Sequence, residues 1–349
     1  MINSTNKKIK VLVVDDSTLI RRMIIDLLNS HPSIQVVGFA MNGRMAVSQL
    51  EKLQPDVITL DVEMPFMNGL ETLKEIKRIR PTPTIMLSSL TKAGAEVTIQ
   101  ALELGAVDFI QKPESGNNLE PIAKELISKV IAAANSSVVS SAGKLVKHAV
   151  EIPTLKTTPK ISRVKTVVIG CSTGGPPALK EIIPYIPADL PAQILIVQHM
   201  PAKFTEMLAQ RLDKISQIEV REAKDGDELQ TKTALVAPGN FHMCVTMNNR
   251  IMLNQEPPVW GVRPAVDLTL ASAAKVYKED LIAVILTGMG HDGTEGAGVV
   301  KRFGGYCIAE DKSTAVIYGM PKCVVDAGHA DEVVPLHKIA NAIVNAVYK

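Results

Sequence analysis

Two sets of polar residues in this chain have the types and spacing of reactive sites. The first is Asp15, Asp16, Asp61, Ser88 and Lys112. Crowded carboxylates repel one another unless a cation joins them. A hard cation such as Mg²⁺ accepts oxygen ligands and keeps several waters. With that cation and the Lys112 ammonium drawing charge from a phosphoryl group, Asp61 would attack it in line as a carboxylate nucleophile. The second set begins with Gly170-Cys171-Ser172-Thr173-Gly174-Gly175-Pro176-Pro177 and continues with His199 and Asp292. Glycines two places before and two after a serine allow a sharp strand-to-helix turn that presents the hydroxyl. An imidazole titrates near neutral pH, so His199 is a candidate base, with Asp292 to orient it. The same glycine-rich loop at a helix start would equally suit a phosphate cradle.

The elements that must position the first set are short apolar runs alternating with amphipathic stretches. Val11–Val14, Val57–Leu60, Thr84–Leu87 and Asp108–Gln111 read as strands, and Ile20, Met23, Ile24, Leu27 and Leu28 recur at helical spacing, as do Leu70, Leu73 and Ile76. A β-α rhythm implies a parallel sheet with right-handed crossovers, and ligands of such sheets bind beyond the carboxyl ends of the strands. Asp15 and Asp16, Asp61, Ser88 and Lys112 each follow a different strand. Alone, an Asp-Asp pair is ordinarily a helix N-cap and Lys-Pro a turn. Together, at one sheet edge, they read as a site.

The second half repeats the rhythm with Thr166–Ile169, Ile194–Val197, Ala234–Val236 and Leu281–Leu286, and a hairpin is expected over Met243–Leu253 around Asn248-Asn249. Ser172, His199 and Asp292 each follow one of these strands, and Asp292 opens a helix whose dipole would keep it ionised. The chain order Ser172, His199, Asp292 differs from the Ser, Asp, His order of lipases and esterases, although triads are recognised by geometry. His242 is a candidate substrate contact, His291 reads as a solvated loop residue, and Cys171 reads as small packing filler.

Ala132 to Arg163 breaks the pattern with Ser, Thr, Pro and an excess of Lys, as a solvated linker does. The organisation is therefore α/β twice: a five-stranded domain over 8–130, a flexible linker over 131–163, and a larger doubly wound domain with an added antiparallel hairpin over 164–349. Of the 349 residues 46% are apolar, 21% charged and only 3% aromatic, so the cores must be aliphatic. The polar start of the chain, the absence of an apolar run of about 18 residues, and four scattered cysteines point to a cytoplasmic protein that is not membrane-embedded. Formal net charge is +2, and residues 166–349 carry 17 basic and 20 acidic side chains. That balance, with no helix-turn-helix pattern, argues against nucleic acid as a partner.

The first set, with Met64-Pro65 and Asn68-Gly69 after Asp61, closely resembles the receiver domain of two-component systems. That resemblance implies a flavodoxin-like fold, phosphoryl transfer from a histidine kinase to Asp61, Mg²⁺ held by Asp15, Asp16 and Asp61, and Ser88 and Lys112 on the phosphoryl oxygens. The segments Ile169–Pro176, Gln198–Pro201, Pro238–Met243, Arg263–Asp267 and Thr287–Gly293 resemble the chemotaxis protein-glutamate methylesterase family, CheB. This second resemblance implies Ser172 as nucleophile, His199 as general base, Asp292 as its orienter and the Met289 N–H as an oxyanion donor. It further implies action on methylated glutamates, and on glutamines, of chemoreceptor cytoplasmic helices, with no cofactor for ester hydrolysis. His291 stands where the family commonly has Asn. An unphosphorylated receiver is implied to cover the hydrolase cleft.

Overall fold

A strand buried on both faces needs continuous apolar sequence, and Val11, Leu12, Val13 and Val14 supply four such residues in a row, all fully buried. They belong to the first unit of a computed structural model in which residues 7–89, 91–113, 119–136 and 163–349 are described. The chain divides into two units, Met1–Leu145 and Val146–Lys349. The boundary lies within the stretch expected to be a linker, of which 137–162 falls outside the described residues.

Among the described residues, the first unit runs β1 (Ile9–Val14), α1 (Thr18–Asn29), β2 (Ile34–Ala40), α2 (Gly43–Leu53), β3 (Val57–Asp61), α3 (Gly69–Ile79), β4 (Thr84–Ser88), α4 (Lys92–Glu103), β5 (Asp108–Gln111) and α5 (Glu120–Ala134). The strands form a parallel sheet in the order β2-β1-β3-β4-β5. Chain order reverses between β1 and β3, so the ends of those two strands flank the crevice of the sheet. Helix α5 passes the expected boundary at 130, because Ala132, Ala133 and Ala134 are strong helix formers.

The second unit runs β6 (Lys165–Cys171), α6 (Gly175–Ile182), β7 (Ala192–Gln198), α7 (Phe204–Asp213), β8 (Glu219–Glu222), β9 (Thr233–Val236), β10 (His242–Val245), β11 (Ile251–Asn254), α8 (Val266–Tyr277), β12 (Leu281–Ile285), α9 (Thr294–Arg302), β13 (Tyr306–Glu310), α10 (Met320–Asp326), β14 (Glu332–Val334) and α11 (Leu336–Val347). Its main sheet is parallel, ordered β14-β13-β12-β6-β7-β9-β8, while β10 and β11 pair as a separate antiparallel hairpin. The order reverses beside β6, the strand that delivers Ser172, with β12 and β7 as its neighbours. The core under these strands is aliphatic, with Val168, Leu195, Val197, Ala283, Ile285, Val266 and Leu270 in one buried cluster. Among the described residues no helix is long and apolar enough to cross a membrane.

Candidate active site and phospho-accepting site

In the first unit Ser17, not either aspartate, caps α1, its hydroxyl accepting from the Ile20 N–H. That frees the Asp15-Asp16 pair from the bland role of a cap. Asp15 is fully buried and Asp16 exposed, and oxygens of Asp15, Asp16 and Asp61 all lie within 4.8 Å of one another. Lys112 Nζ stands 2.8 Å from Asp15 Oδ2 and 2.8 Å from Asp61 Oδ2. One ammonium is thus shared between two carboxylates, and Asp15 Oδ2 is sealed from water. Three hard oxygen donors with a single neighbouring cation among them suit a divalent metal ion. Burial pushes the Asp61 carboxyl up to about 6, with Asp15 adding to the rise and Lys112 opposing it. Burial pulls the Lys112 ammonium down, but the Asp61 and Asp15 charges outweigh it and hold it above the usual range.

The motif residues after Asp61 act on the backbone. Asn68 caps α3 in a reciprocal box with Glu71. A Cβ at Gly69 would collide with the Asp61 carbonyl and stand 2.9 Å from Val62 Cα, so only glycine lets this helix start against the end of β3. Ser88 is fully buried, its hydroxyl accepting from Thr98 Oγ1 at 2.7 Å and lying 3.3 Å from the Gly94 carbonyl, and its carbonyl receives the Lys112 N–H at 2.7 Å. The hydroxyl is thus tied to α4. An open pocket lined by Asp16, Glu63, Met64, Pro65 and Asn68 adjoins the carboxylates.

In the second unit Ser172 sits on a turn between β6 and α6. Gly174 has φ +80°, and a Cβ there would press on Val316 Cβ at 2.7 Å, while one at Gly170 would meet Val266 Cγ1 at 2.5 Å. Pro176 and Pro177 occupy the first turn of α6, where a missing N–H costs nothing. The Ser172 N–H donates to Thr287 O at 3.0 Å, and Gly175 N–H returns to Ser172 O at 2.8 Å. Two amides that a phosphate cradle would turn toward an anion are already used. Cys171 is fully buried, with Sγ 3.1 Å from Gln198 Oε1, and burial pushes its thiol far above the usual range, so it is the packing residue expected.

His199 Nε2 lies 2.7 Å from Asp292 Oδ2. A carboxylate only accepts, so Nε2 carries the proton and the basic lone pair belongs to Nδ1. Asp292 is also held by the Val266 N–H at 2.7 Å and the Asp267 N–H at 2.9 Å. Burial works to raise its carboxyl, but the bond to His199, the imidazole charge and these two amides hold it below the usual range. The stabilising helix N-terminus is therefore that of α8, not that of α9, which Asp292 precedes in sequence. Gly293, at φ +95°, turns the chain between Asp292 and α9. Met289 is about one-third exposed, and its N–H donates to none of the described residues. His242 is fully buried, with Nε2 3.2 Å from the Pro257 carbonyl. It is tied to the loop at Pro257 and leaves no exposed surface for the substrate contact considered from sequence. His291 is exposed, as expected, with its ring packed edge-on against Trp260 at 4.2 Å.

Four residues given no role from sequence support this geometry. Gln198 donates to the Ser172 and His199 carbonyls at 3.0 Å each, joining the two strand-end loops. Thr287 donates to Thr173 O and accepts from the Ile317 N–H, both at 2.9 Å. Asp267 accepts from the Gly293 and Gly296 amides of the loop and helix after Asp292. Glu310 is fully buried and accepts from the Thr287 N–H at 2.8 Å. Gln198, Asp267 and Thr287 lie within segments that carry the sequence resemblance, whereas Glu310 lies outside all of them.

A model of the family described as CheB methylesterase matches residues 167–343, and one described as response regulator receiver domain matches 11–124. A protein of Symbiobacterium thermophilum named protein-glutamate methylesterase/protein-glutamine glutaminase is 49% identical, with 99% of both chains covered. The chain belongs to the CheB methylesterase family. It is a methylesterase joined to a response-regulator receiver domain. A Thermotoga maritima protein of the same name is 48% identical over 98% of this chain and 100% of its own. The crystal structure of the Thermotoga maritima CheB methylesterase catalytic domain superposes with a TM-score of 0.51 at 50% identity, covering 52% of this chain and 97% of that one. The family match thus falls on both halves of the chain and contains every candidate residue of both sites.

Proposed function

We propose that this protein removes methyl groups from glutamate methyl esters, and ammonia from glutamines, on the cytoplasmic helices of chemoreceptors, under control of phosphorylation at Asp61. The observation that carries the hydrolytic reading is the 2.7 Å His199–Asp292 pair, in the loops that follow the two strands flanking β6. In this reaction His199 Nδ1 takes the Ser172 hydroxyl proton as the oxygen attacks the ester carbonyl. The Met289 N–H receives the developing oxyanion. The imidazolium returns the proton to the leaving oxygen, methanol departs, and water, deprotonated by His199, cleaves the acyl-serine to free carboxylate. With a glutamine side chain, ammonia leaves by the same route. Ester hydrolysis needs no cofactor.

In the receiver, Asp15, Asp16 and Asp61 would hold Mg²⁺, which supplies charge neutralisation for a phosphoryl group when bound. Asp61 accepts that group from a histidine kinase, and Lys112 and Ser88 contact its oxygens. Drawing the Ser88 hydroxyl toward the phosphoryl group takes it from the α4 contacts at Gly94 and Thr98, which links phosphorylation to a movable helix. The place of action is the cytoplasm.

The test is methanol release from membranes holding methylated chemoreceptors, with and without acetyl phosphate and Mg²⁺. Wild type is expected to release methanol, and the phosphodonor to raise the rate about tenfold or more. Asp61→Asn is expected to keep the basal rate and lose the rise. No release from methylated receptors by wild type would overturn the hydrolytic reading, and an equal rise in Asp61→Asn would overturn the control.

A further inference from the structure

Residues Val259 to Val262 close a two-residue turn, with Val259 N–H to Val262 O at 3.1 Å and Val262 N–H to Val259 O at 3.0 Å. Its central residues, Trp260 at φ +55° and Gly261 at φ +81°, are both left-handed. Asparagine or glycine is the usual occupant of the first such position, and a bulky indole there is held against its backbone preference. The base of the loop is fastened twice. His242 Nε2 meets the Pro257 carbonyl, and Arg263 Nη1 donates to the Gln255 and Glu256 carbonyls, both at 2.9 Å. At the tip, the indole N–H donates to Asp267 Oδ2 at 3.0 Å while half of the side chain stays exposed.

Asp267 and Asp292 exchange helix ends. Asp292 receives the first amides of α8, at Val266 and Asp267, and Asp267 Oδ1 receives the amides of Gly293 at 2.9 Å and Gly296 at 2.7 Å, around the start of α9. Each carboxylate thus fixes the backbone that carries the other. Both are nearly buried. Such a pair holds its geometry only while every carboxylate oxygen has a donor, and the indole N–H is the donor to Asp267 Oδ2.

We propose that Trp260 and Asp267 are positioning residues for Asp292: the strapped turn holds Asp267 through the indole N–H, and Asp267 holds the loop that aims Asp292 at His199. The inference rests on the reading of Asp292 as the orienter of the base. It assigns Trp260 no contact with substrate. Its effect belongs to the chemical step, because a misaimed imidazole lowers turnover without weakening docking of a receptor helix.

The experiment compares kcat and KM for methanol release by full-length wild type, Trp260→Phe, Asp267→Asn, the double variant and Ser172→Ala, on methylated receptor membranes. Trp260→Phe keeps an aromatic ring at the turn and removes the N–H donor. It is expected to lower kcat about tenfold with KM within about twofold of wild type. Asp267→Asn is expected to lower kcat further, and adding Trp260→Phe to it to change kcat by less than about twofold, since the donor then has no carboxylate to hold. Trp260 is the chain's single tryptophan, so its emission in wild type reports the same contact. Asp267→Asn is expected to shift that emission, which keeps the proposal testable even if the variant is too unstable for kinetics. Unchanged emission, an unchanged kcat in Trp260→Phe, a rise in KM alone, or fully multiplicative losses in the double variant would each overturn the positioning role. Full activity in Ser172→Ala would instead overturn the hydrolytic reading on which it rests.

Discussion

Ser172→Ala is expected to lower methanol release by on the order of 10⁴-fold or more, with no loss of folding stability beyond about 0.5 kcal/mol. The two halves of that expectation have separate grounds. The turn around Ser172 is held by its backbone, through Thr287 O, Gly175 N–H and Gln198 Nε2, and none of these bonds involves the hydroxyl. Alanine keeps all of them and leaves no buried polar group without a partner. What disappears is the oxygen that forms the acyl bond in the proposed reaction. Cys171 is the adjacent thiol, but burial keeps it protonated and its sulfur lies against Gln198 Oε1. Asp292→Asn is the informative companion. The amide can still accept an α8 N–H, but it offers His199 no charge and risks fixing the wrong tautomer, so a loss of about 10³–10⁴ in kcat is expected. Stability should fall too, because Asp292 joins α8 to the loop before α9. Methanol release at saturating receptor, paired with thermal unfolding, separates the cases. A Ser172→Ala protein within tenfold of wild type would remove Ser172 from the chemistry.

Much of the geometry of both candidate sites was legible because each candidate residue follows an apolar strand, and a parallel sheet brings strand ends together whatever the sequence distance. That reasoning gathers Asp15, Asp16, Asp61, Ser88 and Lys112 at one edge, and Ser172, His199 and Asp292 at another. It fails where an interaction depends on which loops meet. Sequence adjacency suggested that α9 stabilises Asp292, whereas the left-handed Gly293 and the approach of α8 hand that role to Val266 and Asp267. His242 resembled a site residue by type and spacing, but β10 turns it inward against Pro257. The edge strands of the second unit were hidden for a different reason. Glu219–Glu222 and Glu332–Val334 each pair with only one neighbour, so their sequence is charged and short and lacks the apolar run that marked the central strands. Glu310 ends β13 and reads as an ordinary solvent-facing acid. Only the assembled fold shows it buried beneath the Ser172 turn.

That buried carboxyl leads to the second large expected effect, a gain of stability in Glu310→Gln at alkaline pH. Burial pushes Glu310 up to about 7, with the Thr287 N–H and Thr314 hydroxyl opposing and the nearby Glu181 and Asp311 charges adding to the rise. In the unfolded chain its carboxyl titrates at the ordinary glutamate value of 4.5. The folded state therefore binds this proton more tightly than the unfolded state. The stabilisation is complete below pH 4.5, falls as pH rises toward 7, and is absent above it. The gap corresponds to an upper bound of about 3 kcal/mol between pH 4 and pH 8. Glutamine is neutral throughout, and its carbonyl still accepts the Thr287 N–H. Relative to wild type, the variant should therefore gain up to about 3 kcal/mol at pH 8 over its relative stability at pH 4.5, a shift of several degrees in the melting temperature of the second unit. Calorimetry of the full chain at the two pH values, following the transition of that unit, measures the difference directly. Any fixed packing defect of glutamine cancels in this comparison, because it is the same at both pH values. An identical offset at pH 4.5 and pH 8 would show that Glu310 is already ionised in the fold across this range. A gain confined to pH 8 would mean that the Ser172 turn rests on a carboxyl that changes charge near neutrality, through one amide of Thr287.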